Sequence, residues 1–172
     1  MPNYPVTASA KDETIGDGAN TNGTTLVAKF LNALGGLESY GKALIDTSAI
    51  GTDVISAATL YWYHVSYTKT KAATFHRRIK IGGLSGLSLL DSTATPPAAG
   101  WHSEVLTPSE IALINQTGET EIRFIVDDPG STYDRTWTIQ AWDYVPTGTR
   151  ACYLAVTHAP ASGGPTTFSI LR

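Results

Sequence analysis

With one cysteine in 172 residues, Cys152, the chain can form no internal disulfide. Cys152 lies in an apolar alternation, which suits a small buried thiol. Charge is scarce as well. Only 16% of residues are Asp, Glu, Lys or Arg, against roughly 25% in an average globular chain. Twelve basic and fifteen acidic residues leave a net charge of −3. So weak a field argues against sequence-independent nucleic-acid binding and against attraction to an anionic membrane. No apolar run approaches the length of about 18 residues that a membrane-spanning helix needs. The opening Met1-Pro2-Asn3-Tyr4-Pro5 has neither a basic nor an apolar stretch, so no signal peptide is expected.

Threonine, tyrosine, 16 glycines and 9 prolines are present in their place, a composition that favours strands and turns. Residues 1–24 are polar and rich in turn formers and read as an N-terminal arm. Leu26 to Leu34 fits a helical stripe and a strand equally, and Gly35-Gly36 ends either. Beyond that point the period is two. Lys42–Thr47 sets Ala43, Ile45 and Thr47 on one face. The long segment Ile55–Tyr67 sets Ala58, Leu60 and Trp62 against Thr59, Tyr61, Tyr63, Val65 and Tyr67. Ala72–Ile81 carries Arg77 in phase with Phe75, Ile79 and Ile81, so Arg77 needs a carboxylate or a path to water. Residues 84–100 read as a long loop and Ser103–Leu106 as a short strand. Thr107-Pro108-Ser109-Glu110 has the pattern of a capping box and predicts a helix over 108–116, with Gly118 just beyond its end. Strands follow at Glu121–Val126, Asp134–Asp143 and Ala151–Thr157. The predicted core holds Ile45, Leu60, Trp62, Ile122, Phe124, Ile139, Leu154 and Val156. Many turn-separated strands with one short helix predict an all-β fold, a β-sandwich over residues 25–158. Residues 159–172 read as a C-terminal arm: a Pro/Gly linker, then a strand-like stretch in which Phe168 and Ile170 share a face.

Tyr40–Ile50 leading into Val54–Tyr63, then Gly100-Trp101-His102-Ser103 and Arg150-Ala151-Cys152-Tyr153-Leu154-Ala155-Val156-Thr157-His158, occur in an order that resembles the DNRLRE-type modules. The resemblance spans roughly residues 9–158. It implies a jelly-roll sandwich like that of carbohydrate-binding modules, often with a structural Ca²⁺. The chain departs from the pattern in its closing strand, where Ala151 stands in place of the expected proline.

Three kinds of residue carry candidate chemistry. The first is aromatic. If Leu60 and Trp62 face the core, then Tyr61, Tyr63 and Tyr67 stand on the outer face, with Trp142 joining from another strand. Such a face can stack on sugar rings, form a protein interface or lie under a second layer. The second is oxygen-rich: Asp127, Asp128 and Asp134 gather near Pro129-Gly130, a set that suits Ca²⁺ and equally suits a turn. The third is histidine. His64, His76, His102 and His158 are far apart and share no metal-ligand spacing, and Gly83-Leu84-Ser85-Gly86 lacks the pattern of a nucleophile elbow. An enzyme is therefore not expected.

An extracellular type of module without a signal or a catalytic constellation suits a structural protein of a virus particle. The expectation is a bacteriophage capsid decoration protein, made in the host cytoplasm and located on the virion. Its partners would be copies of itself, as a homo-oligomer such as a trimer, and the major capsid protein or other virion proteins, without nucleic acid or membrane. The Phe168/Ile170 segment would serve as an assembly arm. The alternative is a lectin-like carbohydrate-binding module that takes a glycan on its aromatic face.

Overall fold

A computed structural model describes residues 2–5, 12–16, 20–21, 24–31, 36–69, 77–83, 86–92, 97–126, 135–141 and 150–161. Among these the chain forms twelve strands joined in one antiparallel sheet. They are β1 (Asn3–Pro5), β2 (Asp12–Gly16), β3 (Asn20–Thr21), β4 (Thr25–Leu31), β5 (Gly36–Asp46), β6 (Val54–Lys69), β7 (Arg77–Ile81), β8 (Leu87–Ser92), β9 (Gly100–Val105), β10 (Glu119–Ile125), β11 (Arg135–Gln140) and β12 (Tyr153–Ala159). One short helix, α1 (Pro108–Ile111), and a single 3-10 turn at Ser48–Ile50 complete the described elements. The all-β expectation holds.

The sheet runs β1-β12-β6-β11-β4-β5-β10-β7-β8, with β9 on β6 and the β2–β3 hairpin on β5. It curls, so that the inward faces of its two halves share one core. Leu60 and Trp62 from β6, Ile139 from β11, Ile45 from β5, Ile122 and Phe124 from β10, and Leu154 and Val156 from β12 are all buried in it. Phe124 meets Trp137 edge to face across the interior, centroids 5.6 Å apart. Gly41 fills a place with no room for a side chain, since a Cβ there would stand 2.9 Å from that of Leu26.

β6 is the spine. β12 lines one edge over Val54–Tyr61, and β11 continues along the same edge from His64 to Lys69. β9 takes the opposite edge from Thr59 to His64. Between His64 and Ser66 the register to β11 slips by one residue, because Ile139 pairs with His64 while Thr138 pairs with Ser66. Val65 is the extra residue of this bulge, and the bulge exchanges the faces of everything after it.

Several expectations change. The region expected as an arm, 1–24, contributes strands: β1 pairs with β12, β2 pairs with β5, and Tyr4 is buried in the core. Leu26 resolves to a strand, since β4 finds β11 on one edge and β5 on the other. The expected loop 84–100 contains β8, which pairs with β7 after the turn at Gly82-Gly83, both at positive φ. A strand at the end of a sheet needs only one partner and little apolar alternation, so its sequence signal is weak. The helix expected over 108–116 is one turn long. Glu110 closes the capping box as expected, its Oε2 accepting from the Thr107 amide at 2.6 Å and hydroxyl at 2.8 Å. Ile114 is then buried at the end of the turn from Ile111, and Gly118 closes a separate turn from Asn115 rather than a helix end, its carbonyl accepting from the Thr47 amide at 3.0 Å.

Candidate functional site

The outward face of β9, β6 and β12 carries an aromatic cluster. Alternation along β6 turns Tyr61 and Tyr63 away from the core, and register brings their neighbours: Tyr153 of β12 opposite Tyr61, and Trp101 of β9 opposite Tyr63. The Tyr61 and Tyr153 rings stack 4.8 Å apart and 8° from parallel. Trp101 stands edge-on to both Tyr63, at 5.7 Å and 87°, and Tyr153, at 5.6 Å and 68°. The guanidinium of Arg150, just before β12, lies 4.2 Å from the centre of the Tyr63 ring, a cation–π contact. Burial raises the pKa of the Tyr153 phenol, with the Tyr61 phenol adding to the effect, so it stays protonated. Trp101 remains 45% exposed and Val105, further along the same face of β9, 71%.

Tyr61 and Tyr63 are where alternation places them. Tyr67 is not: the Val65 bulge pairs it with Trp137 and turns it to pack against the core. Trp142, Asp127, Asp128, Asp134, Phe168 and Ile170 lie outside the described residues. Sequence reasoning missed Trp101, Tyr153 and Arg150 as members of the face. Each sits in a quoted motif, yet their meeting depends on cross-strand register, which no single strand encodes.

On the inner side of β6 and β9 lies a second group. His64 Nδ1 accepts a hydrogen bond from Trp137 Nε1 at 2.9 Å. His102, opposite Trp62 in register, stacks on that indole at 6.0 Å and meets the His64 ring edge-on at 5.9 Å. Arg77 spans the two indoles, 5.9 Å from Trp62 and 5.6 Å from Trp137. Burial lowers the Arg77 pKa, and the negative charge of Glu104 opposes that shift. The Glu104 pKa is itself raised, first by burial, then by Glu110, against the pull of Arg77. Burial, with His102 and Arg77 adding positive charge, lowers His64 to about 4 and keeps it neutral. The fold therefore joins two histidines that their spacing kept apart. Among the described residues no three His, Cys, Asp or Glu side chains are grouped to hold a metal ion.

A third group pins the chain start. Tyr4 Oη and His158 Nε2 are 3.0 Å apart, and His158 Nδ1 lies 2.6 Å from Asp53 Oδ2. This row couples β1, β12 and the entry to β6. Burial, then Asp53, raises the Tyr4 pKa, so its phenol keeps its proton.

No protein-family model and no curated protein matches this chain, so the likeness to DNRLRE-type modules stands on its sequence motifs.

Proposed function

We propose that the chain is a non-enzymatic structural protein of a virus particle, a jelly-roll module of the capsid-decorating kind that docks onto a protein partner through its outer aromatic face. The observation that carries the docking reading is how the rings are used. Sugar stacking needs open, flat ring faces. Here Tyr61 and Tyr153 each turn one face to the other, and Arg150 covers one face of Tyr63. What is left outward is the Trp101 indole, with Val105 further along the same face of β9, and tryptophan is a residue type that anchors protein interfaces. The scarcity of charge and the strand-rich, Thr-rich composition suit a particle component and support the virion part of the reading.

The test has two arms. Antibody raised against the chain should label intact, purified particles from the source on their outer surface. Purified chain should rebind particles stripped of it, and Arg150→Glu should weaken that rebinding. Labelling confined to host cells would reject the virion role. Saturable glycan binding lost in Tyr63→Ala would favour the lectin reading instead.

A further inference from the structure

Among the described residues β9 pairs with β6 on one edge and with no strand on the other. Leu106 N donates to Ala58 O at 2.9 Å, and the register pairs Val105 with Thr59. Antiparallel ladders alternate, so Gly100, His102 and Glu104 direct their backbone groups to β6. Trp101, Ser103 and Val105 then direct theirs to the open edge. These same three residues are exposed. The strand carries neither proline nor lysine, two of the devices that blunt a free edge.

The sequence of this edge is complementary to itself. Around a twofold axis at Ser103, a second β9 in antiparallel register sets Ser103 opposite Ser103, Trp101 opposite Val105 and His102 opposite Glu104, each of the last two occurring twice. The phase is right: Ser103–Ser103 and both Trp101–Val105 positions become hydrogen-bonded pairs, in which each residue gives an N–H and takes one. His102–Glu104 becomes the closer, non-hydrogen-bonded pair, with Cα atoms about 4.5 Å apart, where an imidazole and a carboxylate can meet. On the outer face the two exposed apolar side chains of the strand, Trp101 and Val105, cover one another.

We infer that two copies of this chain associate through β9, edge to edge in the register centred on Ser103, as an isologous dimer with a continuous sheet. The axis runs perpendicular to the sheet, so both Tyr61–Tyr63–Tyr153 clusters end on the same side. A docking partner would then meet a doubled face. The pairing itself does not depend on what that face binds.

Analytical ultracentrifugation of the full chain decides the matter. Wild type should sediment as a concentration-dependent dimer. Ser103→Pro removes an N–H that points away from β6 and should leave a folded monomer by circular dichroism, with a dissociation constant raised at least about tenfold, or 1.4 kcal/mol. Ser103→Cys tests the register without weakening the contact, because hydrogen-bonded partners sit about 5.5 Å apart, within disulfide reach. Mild oxidation of the Ser103→Cys variant should give a covalent dimer through the introduced thiol, and Ser56→Cys, exposed on β6, should not cross-link. A wild-type monomer at high concentration, a dimer indifferent to Ser103→Pro, or equal cross-linking at both positions would each overturn the proposal. Arg150→Glu lies off the edge, so lost docking with an intact dimer marks failure of the functional reading alone.

Discussion

Trp137 donates its indole N–H to Nδ1 of His64 at 2.9 Å, from β11 to β6, with both side chains buried. The bond requires a neutral imidazole, because a protonated one has no lone pair at Nδ1.

That requirement sets a pH dependence. The His64 pKa falls from 6.5 to about 4 on folding. Between these values the unfolded chain binds the proton and the folded chain does not. The contribution of His64 is therefore whole above pH 6.5 and is lost as pH falls toward 4, up to about 3 kcal/mol. Urea unfolding at pH 7 and pH 4.5 measures it. His64→Gln keeps an acceptor for Trp137 and cannot titrate, so wild type should lose stability relative to this variant on acidification. An unchanged difference between the two proteins would refute the assignment.

The interior tolerates neither more volume at Gly41 nor less at Phe124. Gly41→Val would drive a side chain into Leu26 and should cost about 1–3 kcal/mol. Phe124→Ala would open a cavity beside Trp137 and should cost about 3–5 kcal/mol. Denaturant midpoints with unchanged slopes would report both. A shift below about 0.5 kcal/mol in either would mean that the site repacks freely.

Thr107→Ala should remove about 1 kcal/mol. The hydroxyl gives up its hydrogen bond to Glu110 Oε2 and no longer accepts from the Glu110 amide. Thr107→Ser should restore most of the loss. If both variants melt like wild type, the capping box contributes nothing to stability.

Deleting residues 1–5 should destabilise the protein. It removes the strand that pairs with Tyr153, Leu154 and Ala155 along β12, and it leaves His158 without the Tyr4 phenol. Tyr4→Phe isolates the second effect and should cost about 1 kcal/mol. Hydrogen exchange should quicken at the Val156 amide, which donates to the Pro2 carbonyl at 3.0 Å, in the deletion but less in Tyr4→Phe. Unaltered exchange in the deletion would mean that β1 adds nothing to the sheet.

The sequence by itself determined the strand faces and the core. Two-residue alternation needs no knowledge of neighbours, so Leu60 and Trp62, Ile122 and Phe124, and Leu154 and Val156 could be assigned inward from each strand alone, and all are buried. The capping box was equally legible, because Thr107 and Glu110 lie one helical turn apart. Whatever depends on which strands meet was decided by the tertiary structure. The bulge at Val65 turns Tyr67 inward, because β11 pairs with one residue fewer than β6 offers. Trp101, Tyr153 and Arg150 join Tyr61 and Tyr63 through the register of three strands that are distant in the chain. His64 and His102 meet for the same reason. Local periodicity fixes the side of the sheet that a residue faces only while the ladder is unbroken; long-range backbone pairing fixes what stands beside it and, at a bulge such as that of Val65, the side itself.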